Sequence, residues 1–139
     1  MKNVILDTGP LISLLSSRDR DHAWAVARLA TIQPPLLTCE AVLSEAHFLL
    51  RRNGISSQPL NDLVLDGKIQ IAFQLKDEMA TVAGLMIRYA NVPMSLADAC
   101  LVRMSELYPN STVLTADSDF NIYRRHTRQI IPVMMPAAK

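Results

Sequence analysis

Short apolar runs alternate along this chain with amphipathic stretches of helical spacing. Val4-Ile5-Leu6 reads as a buried strand. Asp7-Thr8-Gly9-Pro10 then opens a helix through Leu11-Ile12-Ser13-Leu14-Leu15, with proline early, where it breaks no internal hydrogen bond. A second helix is expected over 21–32, before Pro34-Pro35. Leu36-Leu37-Thr38 is a short strand. A helix from Glu40 to Arg52 stops at Asn53-Gly54. Residues 58–66 are helical up to Gly67, and 69–73 alternate as a strand. Met79, Val82, Ala83, Met86, Ile87 and Ala90 share a helical face, and another helix runs from Ser95 to Leu107. Strands are expected at 111–115 and 130–133, with Pro132 marking an edge or a strand start. Strands separated by one or two helices imply an α/β layered fold with a mainly parallel sheet, whose ligands gather outside the carboxyl ends of the strands.

At 139 residues, half of them hydrophobic, the chain can build one substantial core, and a single domain over 1–139 is expected. A net charge of +1 neither demands nor excludes a nucleic-acid partner. Cys39 and Cys100 lack metal-site spacing and sit among apolar neighbours, so they read as core residues of a protein in a reducing cytoplasm. The N-terminal apolar run is too short for a signal peptide, and no stretch reaches the roughly 18–20 apolar residues of a membrane span.

Against that background, four acids draw attention. Asp7 and Asp117 fall at the carboxyl ends of expected strands. Glu45 has Ala41, Val42, Phe48 and Leu49 as helix-face neighbours, which places it in an apolar stripe. Asp98 lies in a helix that is apolar nearly all round and should be well buried. Each also has an ordinary structural role open to it. Asp7 can cap a helix. Ser95-Leu96-Ala97-Asp98 fits a capping box. Asp117 and Asp119 can form a turn, and Glu45 can pair with an arginine. Jointly they carry a different implication. Clustered carboxylates in a partly dry site do not all stay ionised without a cation, and an all-oxygen set suits Mg²⁺ or Mn²⁺. That chemistry is metal-assisted phosphodiester hydrolysis.

The segments VILDTGPLISLL (4–15), EAVLSEAHFLL (40–50), MSLADACLV (94–102) and VLTADSDF (113–120) resemble, in order and spacing, the PIN-domain family and within it the VapC-type toxin ribonucleases. The resemblance implies a three-layer α/β/α sandwich with a central, mainly parallel sheet. It implies a Mg²⁺- or Mn²⁺-dependent endoribonuclease that forms no covalent enzyme intermediate. Asp7, Glu45, Asp98 and Asp117 would be the catalytic, metal-holding quartet, with Asp119 auxiliary and Thr8 and Thr115 orienting carboxylates or waters. It further implies an RNA substrate, a cognate VapB-type antitoxin and a homodimer.

The basic run Arg124, Arg125, His126 and Arg128 follows the last motif and is expected to grip RNA phosphates. Arg18, Arg51, Arg52 and Arg103 are further candidates. His22, His47 and His126 show no metal or triad spacing, and no aromatic platform for stacking bases is visible. A haloacid-dehalogenase-type phosphatase needs a second Asp where Gly9 stands, and flap nucleases are longer chains. The alternative from another class is a non-catalytic PIN-fold scaffold that binds RNA or a protein.

Overall fold

The computed structural model describes residues 2–137. In chain order its elements are β1 (Asn3–Leu6), α1 (Thr8–Leu15), α2 (His22–Leu29), β2 (Leu36–Thr38), α3 (Glu40–Arg52), α4 (Gln58–Leu65), β3 (Ile69–Ile71), α5 (Leu75–Arg88) and α6 (Leu96–Leu107). After these come β4 (Ser111–Leu114), a 3₁₀ turn (Ser118–Asn121), β5 (Arg124–Arg125), β6 (Gln129–Ile130) and β7 (Val133–Met134). Five strands form one sheet in the order β3-β2-β1-β4-β7, and every pairing in it is parallel. The fold is thus the expected α/β arrangement. No helix among the described residues is long and apolar enough to cross a membrane.

Strand alternation explains the layers. Successive side chains leave opposite faces of a strand. Ile5, registered with Leu37 and Val113, faces a core completed by Val82 and Leu85 of α5 and by Leu101 and Met104 of α6. Val4 and Leu6 face the other way, with Leu114, against Leu11 and Ile12 of α1, Leu50 of α3 and Leu60 of α4. One strand therefore feeds two cores, and helices cover both sheet faces. This is why its apolar run is continuous rather than alternating. α3 and α4 stop where expected, with Gly54 (φ 70°) and Gly67 (φ 81°) taking the left-handed conformation just past them.

The C-terminal segment differs from its expected form. A single strand over 130–133 is replaced by two elements. Gln129–Ile130 pairs antiparallel with Arg124–Arg125 across a tight turn in which His126 and Thr127 both have positive φ. Val133–Met134 pairs with β4 at the sheet edge. Pro132 explains the break. It has no N–H for a ladder, but its carbonyl accepts the Val113 N–H at 2.9 Å and so starts the edge strand.

The topology prepares one place for a site. From β1 the chain moves outward through β2 to β3, then returns to lay β4 on the opposite side of β1. The gap between the carboxyl ends of β1 and β4 is a topological switch point, where side chains from diverging loops leave a crevice.

Candidate active site

Asp7 stands at that switch point. Its N–H donates to the Leu114 carbonyl at 3.0 Å, extending the β1–β4 ladder by one step. Its carboxylate is held from two sides. The Thr8 N–H donates to Oδ1 at 2.7 Å, and the Thr115 hydroxyl donates to Oδ2 at 2.6 Å. The first bond is also the N-cap of α1, so Asp7 caps the helix and enters the site at once. With 7% of its surface exposed, Asp7 is nearly dry. Burial pushes its carboxyl up to about 6, against the two hydrogen bonds, and the charges of Asp98 and Glu45 push the same way.

Thr115 links the two strand ends. Its Oγ1 accepts the Asp117 N–H at 3.0 Å while donating to Asp7. Asp117 Oδ1 in turn accepts the Asp119 N–H at 2.9 Å, which opens the 3₁₀ turn. One Asp117 carboxylate oxygen is spent on the turn, and no hydrogen bond to the other is found among the described residues. No side-chain hydrogen bond or ion pair of the Asp119 carboxylate is found among the described residues.

Asp98 forms the capping box anticipated from Ser95. Its N–H donates to Ser95 Oγ, and its Oδ2 accepts the Ser95 N–H, both at 3.0 Å. It is half-buried rather than well buried, because it lies in the first turn of α6 while Ala99, Cys100 and Leu101 fill the core behind it. Burial raises its carboxyl above the usual range, the Ser95 N–H opposes this, and the charges of Asp117 and Glu45 add to the rise.

Glu45 departs from its expected setting. The buried stripe of α3 is Val42, Ala46 and Leu50, and Glu45 lies about 100° around the helix from Ala46. It is therefore exposed, and so is Phe48, which the sequence placed in the same apolar stripe. The glutamate does not need rescue from a dry core. It faces the crevice from solvent, near enough for its charge to act on both Asp7 and Asp98.

Tyr123 was not singled out from sequence. It is fully buried and makes edge-on contacts with Tyr89 and Phe120 at 5.1 and 5.2 Å between ring centroids. Its hydroxyl donates to the Pro93 carbonyl at 3.1 Å and lies 3.4 Å from Asp98 Oδ2. Burial, followed by the charges of Asp98, Asp119 and Asp117, lifts its phenol above the ordinary range, so it remains a proton donor beside the acids. A tyrosine three residues after Phe120 carries no local signal of this role. Only the return of the chain against α6 creates it.

The basic run is mostly committed elsewhere. Arg124 Nη1 donates to the carbonyls of Asn121, Ile122 and Tyr123. Arg125 Nη1 donates to Ser105 and Pro109 carbonyls, closing the end of α6. Arg128 is exposed on the hairpin. Arg103 is held by Glu78 and Glu106 at 2.9 and 3.1 Å. Cys39 and Cys100 are buried core thiols, as expected.

Among the described residues, no three His, Cys, Asp or Glu side chains form a group that could hold a metal as they stand. The donor chemistry nevertheless fits a hard divalent cation: carboxylates whose charges disfavour one another's ionisation, with the buried Thr8 Oγ1 beside them lacking a hydrogen-bond partner.

A family model described as PIN domain matches residues 4–125, a span that includes all five acids. No curated protein gives a significant match to the chain.

Proposed function

The chain belongs to the PIN-domain family, generally a nuclease fold, and on that premise we propose that it is a Mg²⁺- or Mn²⁺-dependent endoribonuclease, the VapC-type toxin of a toxin–antitoxin pair. The observation that supports this reading is electrostatic: the charges of Asp98 and Glu45 act on Asp7, at the end of β1, and those of Asp117 and Glu45 act on Asp98.

Asp7, Glu45, Asp98 and Asp117 would hold the cation, with Asp119 auxiliary. When bound, the cation supplies Lewis acidity toward water and the scissile phosphate. The chain's own residues do the rest. Thr8 and Thr115 fix both oxygens of Asp7, so its orientation costs no reorganisation during the reaction. The Ser95 N–H does the same for one oxygen of Asp98, with the Tyr123 hydroxyl 3.4 Å from that oxygen. With its carboxyl raised to about 6, Asp7 gives up a proton to become a ligand, so cation binding weakens as pH falls through that value. The toxin reading implies a VapB-type antitoxin as a separate chain that masks the crevice, and a homodimer of this chain.

The test is cleavage of a mixed tRNA and rRNA pool by purified, antitoxin-free protein, with Mg²⁺ or Mn²⁺ and with EDTA, beside the Asp98→Asn variant. That variant keeps an oxygen for the Ser95 N–H and should fold. Cleavage that requires the cation and vanishes in the variant is expected. A folded protein that cuts nothing with either cation would sink the nuclease reading in favour of a scaffold.

A further inference from the structure

The exposed Phe48 has no packing role that accounts for it. It keeps 61% of its surface in solvent, on a helix whose core stripe is already complete without it. Glu45 precedes it by three residues, so the two are neighbours on one face of α3, roughly 5–6 Å apart at Cβ.

Its surroundings are cationic. The Arg52 guanidinium carbon lies 5.9 Å from the ring centroid. Phe48, His47 and Arg51 line an open groove of about 720 Å³ together with Gly54 and Ile55. Those last two residues also border a second groove, of about 690 Å³, that contains Arg18 and Asp19. Asp19 is already engaged by the Ser13 hydroxyl and the Asp21 N–H at 2.8 and 2.9 Å. Arg18 and Arg51 make no ion pair with any described residue, unlike Arg103, and no carbonyl contact, unlike Arg124 and Arg125.

An exposed ring with one guanidinium against it and an unpaired one beside it in an open groove is the composition that binds single-stranded nucleic acid, the ring stacking a base and the cations tracking phosphates. We propose that Phe48 is a stacking platform for an unpaired base beside the scissile phosphate, with Arg51 and Arg52 holding the flanking backbone and the strand continuing toward Arg18. The proposal rests on the nuclease reading for its substrate and extends it: one unpaired base is held by stacking on Phe48.

The experiment measures binding in EDTA, so that nothing is cut, using a short single-stranded oligoribonucleotide that carries 2-aminopurine. Wild-type protein should bind it more tightly than a duplex of the same sequence and change its fluorescence by stacking. Phe48→Ala should weaken binding roughly 5- to 150-fold and abolish the fluorescence change. Phe48→Trp should restore both, which a merely structural role for the ring does not predict. Arg51→Ala should lower the slope of affinity against salt by about 0.7. Unchanged affinity and fluorescence in Phe48→Ala overturns the platform. So does a change of oligomeric state in that variant with RNA affinity intact, which would assign the ring to a protein contact. If RNA binding depends on Phe48 but no RNA is ever cleaved, the platform stands and the nuclease reading falls.

Discussion

Replacing Asp7 by asparagine in cation-free protein should destabilise it at low pH and stabilise it at neutral pH. An unfolded chain releases the Asp7 proton near 3.8, and the folded protein releases it at about 6. Between those values the folded state holds more protons, so this group's stabilising effect is complete below 3.8 and lost as pH rises to 6. The difference corresponds to about 3 kcal/mol, of which about 2.5 develops between pH 4 and 7.5. The amide of the Asp7→Asn variant does not titrate. It accepts only one of the two bonds now made by Thr8 and Thr115, and the mismatch costs about 1–2 kcal/mol at every pH. The variant should therefore be less stable than wild type at pH 4 and more stable at pH 7.5. The gain at high pH includes relief of repulsion from Asp98 and Glu45, whose charges are among the causes of the raised Asp7 carboxyl. Urea denaturation in EDTA at four pH values measures the effect, with the two m values expected to agree. Mg²⁺ at a hundred times its dissociation constant should return about 2.7 kcal/mol to wild type at pH 7.5 and much less to the variant. Parallel stability curves for the two proteins across pH 4–7.5 would refute the claim that a desolvated, crowded carboxylate sits at the strand ends.

Other perturbations separate structure from chemistry. Tyr123→Phe removes the hydroxyl that meets the Pro93 carbonyl and Asp98, and should cost about 1–3 kcal/mol in urea denaturation as well as slowing RNA cleavage. Ser95→Ala should destabilise by about 1 kcal/mol through loss of the α6 cap, with cleavage reduced rather than abolished, since the Ser95 N–H still holds Asp98. Arg125→Ala should lower the melting temperature, because the end of α6 loses its donor, while leaving the salt slope of RNA binding unchanged; a lowered slope would return Arg125 to the RNA interface.

Much of the chemistry was legible in the residues themselves. The continuous apolar runs announced strands covered on both faces, and a switch-point crevice follows from that arrangement once helices alternate with parallel strands. Acids placed directly after Leu6 and Thr115-Ala116 had to emerge at the carboxyl edge, because strand direction is set by the chain. Ser95 and Asp98 declared their capping box through spacing alone, since a cap is a contact between residues three apart. Such features depend on local geometry, and local geometry is written locally.

Other features were settled by tertiary packing. A helical face has two edges, and the spacing around Glu45 did not reveal which apolar neighbours the sheet would claim. Packing took Val42, Ala46 and Leu50 and left Glu45 and Phe48 to solvent. The hairpin folds Arg124 and Arg125 onto orphan carbonyls, including those at the end of the preceding helix, which the basic run by itself does not reveal. Tyr123 became part of the acidic site only because β5 returns against α6. By itself, the sequence determined the carboxyl ends of β1 and β4, the caps at Asp7 and Ser95, and which acids stand beside them, through periodicity and short-range hydrogen bonding. The tertiary structure alone decided which exposed side chains stayed available, because burial and carbonyl capping arise between segments distant in the chain.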